Sequence, residues 1–158
     1  MARKNSGSDY YYVEDIMSKN LIKIAADSMA NQVAKTMADN RVSSILLEDT
    51  GKIVGILTER DLVKNVCAPD LLASKTPASA VMSPMPIVTI NKNAPIERAA
   101  DLMIQNRIRH LAVEDGYHNI VGLVTTTDLA RYLKEKLPAS GNNPTILEAL
   151  YASEDPYV

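Results

Sequence analysis

The residues best suited to chemistry in this chain form one pattern that occurs twice. Glycine is followed by two aliphatic residues, a Thr, two variable residues and an Asp, as GILTERD over 55–61 and as GLVTTTD over 122–128. Each copy lies where a predicted strand gives way to a predicted helix. A Thr at a helix start accepts a hydrogen bond from a free backbone N–H, and an acidic residue three positions later completes a capping box. One interpretation is therefore a pair of helix caps.

The same pattern also suits a ligand. An uncovered helix N-terminus beside a hydroxyl attracts an anion such as phosphate, because its free N–H groups and its dipole are positive. A carboxylate offers two acceptor oxygens to the two hydroxyl donors of a ribose 2′,3′-diol. Because a capping box usually ends in the longer Glu or Gln, the shorter Asp61 and Asp128 favour a ligand-binding interpretation.

Both patterns close a longer internal repeat. The stretch from Asp15 to Asn65 recurs from Ala80 onward, with an offset of about 65 to 67 residues. Within each copy the hydrophobic period changes in the same order, which predicts a β-α-β-β-α unit. A unit of this size buries only about 60% of its unfolded surface, so the two copies are expected to pack together.

The predicted elements occupy equivalent places in the two copies. Asp27 or Ser28 is expected to cap the first long helix, and Pro95 to open its counterpart. The Asp-Thr-Gly sequence at 49–51 predicts a hairpin turn. The predicted strands are 21–24, 44–48, 53–57, 87–90, 110–114 and 120–125, and the predicted helices run from about 29 to 37, from 59 onward, 96–105 and 127–136. The predicted organisation is a tail over 1–12, a repeat over 13–67, a linker over 68–79, a repeat over 80–137 and a tail over 138–158 with a short helix at ILEALY.

Composition narrows the class of protein. The 158 residues are 46% hydrophobic and 23% charged with a net charge of −2, which excludes a large multidomain enzyme and a disordered chain and disfavours nucleic acid as a partner. A single cysteine, Cys67, can form neither an internal disulfide nor a cysteine-based zinc site, so a cytoplasmic location is expected. No apolar run approaches the ~18 residues of a membrane span, and the first eight residues lack the apolar segment of a secretory signal.

From Val13 to Lys136 the chain resembles a stand-alone tandem CBS module of archaeal or bacterial type. Three motifs recur in order: Met-Ser before the first strand, Asn-Arg-aliphatic before the second, and the closing Thr-x-x-Asp. The resemblance implies a mixed α/β (α+β) fold in which two β-α-β-β-α repeats pack sheet to sheet as one module with pseudo-two-fold symmetry. It also implies a homodimer that binds AMP, ADP, ATP or S-adenosylmethionine and regulates an unknown effector protein.

The resemblance further implies two ligand-binding clefts, each shared across the repeats. In both, branched aliphatic residues would sandwich the adenine, the Asp would take the ribose, and the Thr with nearby cations would meet the phosphate. Cleft one would combine Ile56, Thr58, Arg60, Asp61, Val88, Arg109 and His110. Cleft two would combine Ile22, Val42, Ser43, Ser44, Leu123, Thr125, Thr127 and Asp128.

The two predicted clefts differ in charge. Arg60, Arg109 and a protonated His110 make cleft one cationic, so a nucleotide is expected to prefer it. Cleft two offers mainly hydroxyls, and is expected to be weaker, empty or suited to a less charged adenosine compound. The alternative for Arg109 and His110 is a solvated edge, and His118 is expected to be an exposed turn residue.

The favoured function is a non-enzymatic regulatory module that senses adenosine nucleotides and requires no cofactor. No paired nucleophile and base, Gly-rich phosphate loop or metal-ligand spacing supports an enzyme. Two alternatives stay open: a structural dimerisation or scaffolding module whose clefts are vestigial, and a nucleic-acid-binding CBS protein.

Overall fold

The computed structural model describes residues 11–136, and of Lys136 the backbone alone. The predicted helix at ILEALY and the tail that carries it lie outside these residues, as does the predicted first tail before Tyr11. The helices are α1 Val13–Ile16, α2 Ala30–Asn40, α3 Glu59–Leu62, α4 Ile96–Asn106 and α5 Thr126–Lys136, with a π-helix at Val63–Cys67 and 3-10 turns at Ala73–Lys75 and Ala78–Ala80. The strands are β1 Lys23–Ala25, β2 Ser44–Asp49, β3 Lys52–Thr58, β4 Ser83–Pro84, β5 Thr89–Asn91, β6 His110–Glu114 and β7 Ile120–Thr125.

The chain forms two compact units, and they do not follow the order of the sequence. One, the continuous unit, contains residues 20–87. The other, the composite unit, combines residues 11–19 with residues 88–136. The chain therefore enters the composite unit, leaves it to build the continuous unit, and then returns.

The continuous unit contains a four-stranded sheet in the order β1-β2-β3-β4. Strands β1 and β2 are parallel, whereas β2, β3 and β4 are antiparallel in turn. Helix α2 buries one face, with its buried residues at the three- and four-residue spacing of an amphipathic helix. Its core consists of Ala30, Val33, Met37, Ile45, Leu47, Leu57, Val66, Ala78 and Val81.

The composite unit repeats this arrangement around a three-stranded sheet in the order β5-β6-β7. Strands β5 and β6 are parallel, and β6 and β7 are antiparallel. Its core consists of Val13, Ile90, Ala99, Met103, Leu111, Val113 and Val124. Val13 is the first residue of the first repeat, yet it is fully buried among residues of the second.

Two equivalent segments, one at the start of each repeat, complete these units, because each packs on the other repeat. In the composite unit, the Val13 N–H donates to the Ala94 carbonyl at 2.9 Å and Ser18 pairs with Leu123. In the continuous unit, the Ala78 N–H donates to the Ser28 carbonyl at 2.8 Å and Ser83 pairs with Ile56. Residues 76–79, which composition assigns to a linker, therefore belong to the fold of the continuous unit.

Steric crowding requires glycine at the first position of each Gly-aliphatic-aliphatic-Thr pattern. A Cβ atom built on Gly55 would lie 2.6 Å from the Sδ atom of Met82 and 2.6 Å from the carbonyl oxygen of Ser83. A Cβ atom on Gly122 would lie 2.5 Å from Sδ of Met17 and 3.1 Å from the carbonyl oxygen of Ser18. The edge segments thus approach β3 and β7 more closely than any residue with a side chain permits.

The Asn-Arg part of the second motif ends a helix. Arg41 and Arg107 follow α2 and α4 in the left-handed region, with φ of 53° and 54°. The next N–H groups reach back to the helix, from Val42 to the Met37 carbonyl and from Ile108 to the Met103 carbonyl, at 3.0 Å each. This is the helix-ending geometry that leads the chain directly into the next strand.

Most predicted elements are confirmed, and the helix-start details are partly wrong. The hairpin turn forms at Thr50 and Gly51, which both have positive φ. Neither Asp27 nor Ser28 caps α2, because the helix begins later, at an N-cap of Met29 whose N–H donates to Oε1 of Gln32 at 2.8 Å. Pro95 is the N-cap of α4 rather than its first helical residue.

We expect Gly55→Ala to lower the free energy of unfolding by about 1–3 kcal/mol, because the added methyl group overlaps the Ser83 backbone, which cannot move aside without breaking the β3–β4 pairing. Urea denaturation measures this loss. Gly116→Ala is the matched control, since a Cβ atom there has no neighbour within 4 Å. Equal stability of the two variants would contradict the steric explanation.

The hairpin between β6 and β7 depends on Asp115. Its Oδ1 accepts from the N–H groups of Tyr117 and Asn119 at 2.7 and 3.0 Å, and its Oδ2 accepts from Nδ2 of Asn119 at 3.0 Å. These hydrogen bonds, the Asn119 side chain first, hold the pKa of Asp115 below its ordinary value. His118 lies in the same turn with its side chain 85% exposed, as predicted.

A lowered pKa in the folded state adds stability above the ordinary Asp pKa, and this stability is lost as the pH falls through the lowered value. We therefore expect the stability difference between the wild type and Asp115→Ala to favour the wild type at pH 7 and to shrink below about pH 4. Urea denaturation of both proteins between pH 7 and pH 3 tests this. A difference that does not change with pH would show that the carboxylate charge plays no part in the turn.

Candidate functional site

Both Thr-x-x-Asp patterns form complete capping boxes. At the start of α3, Oδ2 of Asp61 accepts from the Thr58 N–H at 2.9 Å and from the Thr58 hydroxyl at 2.7 Å, while the Asp61 N–H donates to that hydroxyl at 3.3 Å. At the start of α5, Thr125 and Asp128 make the same three contacts at 2.8, 2.7 and 3.3 Å. Repeated geometry in both units shows that the pattern encodes a defined local structure.

The expectation that Asp is too short for this role is wrong. The Asp61 carboxylate reaches the Thr58 N–H because Thr58 is extended, with φ of −114° and ψ of 164°, which brings its backbone toward the first helical turn. Asp128 does the same for Thr125. The choice of Asp over Glu therefore does not by itself favour a ligand.

What the cap leaves available is the second carboxylate oxygen. In each motif Oδ2 accepts both cap hydrogen bonds, so the cap fixes the carboxylate and directs Oδ1 away from Thr. Both Asp residues are partly exposed. A fixed carboxylate whose second oxygen is not used by the cap is a suitable acceptor for a hydroxyl group.

Each cap lies beside the start of the neighbouring strand in its own unit. Ser44 pairs with Thr58 across β2 and β3, and His110 pairs with Thr125 across β6 and β7. Backbone hydrogen bonds fix these neighbours, from the Glu59 N–H to the Ser43 carbonyl and from the Thr126 N–H to the Arg109 carbonyl, both at 3.1 Å.

Aliphatic side chains adjoin each cap on the sheet face opposite the core. Leu46 pairs with Ile56, and both alternate with core residues along β2 and β3. Ala112 pairs with Leu123 at the equivalent positions of β6 and β7. Side chains alternate across a strand, so residues two apart lie on the same sheet face. Leu46 and Ile56 therefore share a face with Ser44 and Thr58, and Ala112 and Leu123 share one with His110 and Thr125. All four aliphatic residues are buried, with exposures of 9% or less, so in each unit the capped Thr lies on the same sheet face as a buried apolar pair.

The structure distributes the predicted site residues between the two units. The continuous unit holds Ile22, Val42, Ser43, Ser44, Ile56, Thr58, Arg60 and Asp61, and the composite unit holds Val88, Arg109, His110, Leu123, Thr125, Thr127 and Asp128. Each predicted cleft takes residues from both units, so the two clefts stay predictions. Within a unit the structure brings Ser44 close to Thr58 and His110 close to Thr125, which are pairs that the prediction assigned to different clefts.

Three of the predicted aliphatic contacts have a structural role as well. Ile22 and Val42 pack partly buried against the core of the continuous unit, and Val88 packs against the core of the composite unit. The two arginines of cleft one, Arg60 and Arg109, are exposed.

Comparison with known proteins assigns the family. The CBS domain family model matches residues 13–68 and again residues 78–135. The chain belongs to the CBS domain family. It is 33% identical over 118 residues to CBS domain-containing protein YhcV of Bacillus subtilis, and the match covers 75% of this chain and 82% of YhcV.

Solved structures support the same fold. The CBS domain pair of protein MJ0100, in complex with 5′-methylthioadenosine and S-adenosyl-L-methionine, is similar with a TM-score of 0.72 and 27% identity, covering 81% of this chain and 99% of that one. An uncharacterized conserved protein from Pyrococcus horikoshii is similar with a TM-score of 0.76 and 25% identity, covering 84% and 99%. The predicted mixed α/β fold of two CBS repeats is confirmed.

Some relatives are much longer than this CBS pair. A homoserine O-acetyltransferase of Methanohalobium evestigatum is 27% identical over 132 residues, which is 83% of this chain but only 26% of the enzyme. The similarity therefore concerns one part of that protein. In residues 11–136 no group of three or more His, Cys, Asp or Glu could hold a metal ion, and no helix is long and apolar enough to cross a membrane.

One contact of this CBS pair was missed by the sequence analysis. Nη1 of Arg131 donates to Oδ1 of Asp128 at 3.2 Å. The three-residue spacing on a helix is the sequence signal that could have identified it.

We expect Thr58→Ala to lower the free energy of unfolding by about 0.5–2 kcal/mol, because it removes the hydroxyl that accepts from the Asp61 N–H. Thr58→Ser is the matched control, since it keeps the hydroxyl and should retain most of the stability. Thermal unfolding of both variants measures the difference. If Thr58→Ser loses as much stability as Thr58→Ala, the threonine methyl group rather than the cap is responsible.

Proposed function

We propose that this CBS pair is a non-enzymatic regulatory module that binds an adenosyl compound. The observation that carries the proposal is the cap geometry: Oδ2 of Asp61 is held by Thr58, so the carboxylate is fixed and the cap does not use its other oxygen. A ribose hydroxyl needs such an acceptor, and the branched aliphatic residues of the predicted clefts would supply the apolar contacts of a purine ring.

The remaining roles follow from the chemistry of the predicted cleft residues. The branched aliphatic residues, Ile56 and Val88 in cleft one and Ile22, Val42 and Leu123 in cleft two, would contact adenine. Thr58 and Thr125 would lie on the side of the phosphate or the 5′ substituent, although their hydroxyl protons are donated to Asp61 and Asp128. Arg60 and Arg109 would give cleft one positive charge, and His110 would add to it when protonated, whereas Ser43, Ser44 and Thr127 would offer cleft two only hydroxyls. AMP, ADP and ATP are therefore assigned to cleft one, and cleft two suits a less charged compound.

One similar solved structure supports an adenosyl ligand. The similar CBS domain pair of MJ0100 was solved with 5′-methylthioadenosine and S-adenosyl-L-methionine. Both compounds contain a ribose diol and an adenine ring, which are the groups that the cap and the aliphatic pair would recognise. The proposal does not depend on a phosphate.

Regulation requires the ligand to bind one arrangement of the module better than another. The proposed clefts meet this requirement, because a ligand that contacts residues of both repeats would bind only one arrangement of them tightly. We infer that the response is passed to an effector protein, and that two copies of the module pair as a homodimer.

The first test is the melting temperature of the purified protein with AMP, ADP, ATP, S-adenosylmethionine and 5′-methylthioadenosine. A ligand at 100 times its Kd adds about 2.7 kcal/mol, which should raise the midpoint by roughly 5–10 °C. GMP is the control compound, since it keeps the ribose and phosphate and changes the base. A midpoint that no adenosyl compound raises would support a scaffold with vestigial clefts, provided that copurified ligand has been removed.

Asp61→Asn separates binding from capping. The Asn carbonyl oxygen can still accept from Thr58, whereas an amide group replaces the outer oxygen and the negative charge is lost. We expect unchanged stability without ligand and an affinity lower by about 10- to 100-fold, the equivalent of roughly 1.5–3 kcal/mol for a hydrogen bond to a charged group. Asp61→Ala is the contrasting variant, because it should lose both stability and binding. If Asp61→Asn binds as tightly as the wild type, Asp61 serves only as a cap.

A further inference from the structure

The two Thr-x-x-Asp motifs have the same cap but different surroundings at the oxygen that the cap leaves available. The sequences align without gaps as TERDLVK over 58–64 and TTTDLAR over 125–131, so Lys64 and Arg131 hold equivalent positions. Arg131 donates to Oδ1 of Asp128 at 3.2 Å, and the Asp128 side chain is only 13% exposed. Within the described residues, the side-chain contacts of Asp61 are confined to Thr58.

The two equivalent positions differ in their side chains. Helix α5 stays α-helical from Thr126 to Lys136, so residues three apart lie on one face. Leu62 and Val63 also have α-helical dihedral angles, so the backbone from Asp61 to Lys64 resembles that from Asp128 to Arg131. Arg131 offers a planar guanidinium with several donors, whereas Lys64 offers a single ammonium group on a flexible stem.

The oxygen in question is the one that a ligand needs. Because the cap already occupies Oδ2 of both Asp residues with two hydrogen bonds each, a ribose diol must use Oδ1. A ligand at Asp61 finds this oxygen accessible. A ligand at Asp128 must first displace the guanidinium of Arg131 or share the oxygen with it.

We propose that Arg131 makes the two binding sites of this chain unequal by occupying the ribose-binding oxygen of Asp128. The Asp61 motif binds the first adenosyl ligand, and the Asp128 motif binds a second one more weakly. This inference rests on the proposed function. It differs from the charge argument for cleft one, because it predicts unequal binding even for a ligand without phosphate.

The expected size of the effect is modest, since the Arg131 side chain is 58% exposed and an exposed ion pair is screened by water. Displacing it should weaken ribose binding about two- to five-fold. Arg131 acts through Asp128, so it is a positioning residue rather than a ligand-binding one.

Calorimetric titration with AMP, and in a parallel series with 5′-methylthioadenosine, tests the inference. In the wild type we expect two steps, of which the tighter disappears in Asp61→Asn and the weaker in Asp128→Asn. Arg131→Gln should tighten the weaker step about two- to five-fold and leave the tighter step unchanged. Lys64→Gln, the matched control at the equivalent position, should change neither step.

Two further measurements distinguish competition for Oδ1 of Asp128 from a general effect of Arg131→Gln on the structure of helix α5. Repeating the Arg131→Gln titration with 2′,3′-dideoxyadenosine monophosphate, which lacks the diol, should give no gain over the wild type. Melting temperatures without ligand verify that Arg131→Gln is folded.

The outcomes distinguish the inference from the proposed function. If two equal steps are found, or if Arg131→Gln fails to tighten the weaker one, the role of Arg131 is wrong while adenosyl binding stands. The same conclusion follows if the gain persists with the dideoxy compound. If neither AMP nor 5′-methylthioadenosine binds to any variant, the proposed function falls, and the inference falls with it.

Discussion

The fold depends on the close approach of two edge segments to two glycines. Ser83 and Met82 lie against Gly55, and Ser18 and Met17 lie against Gly122, at distances that leave no room for a Cβ atom. These contacts place the start of each repeat on the other repeat. As a result the core of each unit includes a residue from outside the repeat that forms most of it, Ala78 in the continuous unit and Val13 in the composite unit, and residues 76–79 are part of the fold rather than a spacer.

The local elements could be predicted from the sequence because their signals are local. The period of the hydrophobic residues and the residues typical of turns predicted these elements. Every strand of four or more residues and all three long helices lie within a few residues of their predicted positions. The exchange of edge segments could not be predicted in the same way, since it is a long-range pairing that no short window contains. The sequence signal for this exchange was the repeated Met-Ser pair. The family resemblance marked the pair as a motif but did not say which strand it packs against.

The candidate site was predictable in its residues and less so in its geometry. Thr58, Asp61, Thr125 and Asp128 stood out by their spacing, and the structure shows that capping and ligand binding are not competing interpretations of them. One carboxylate oxygen serves the helix and the cap does not use the other, so the cap preorganises the acceptor. The inequality of the two motifs was hidden because Lys64 and Arg131 are both basic, yet among the described residues only Arg131 forms an ion pair with the Asp of its motif.

The path of the chain also constrains the order in which the protein can be completed during synthesis. Residues 20–87 are contiguous, so the continuous unit has all its strands once Pro84 has left the ribosome. Val13 is made before the continuous unit, but it is buried among Leu111, Val113 and Val124, which are made about a hundred residues later. The segment that carries Val13 must therefore wait, exposed to water and to chaperones, until nearly the whole CBS pair has been translated.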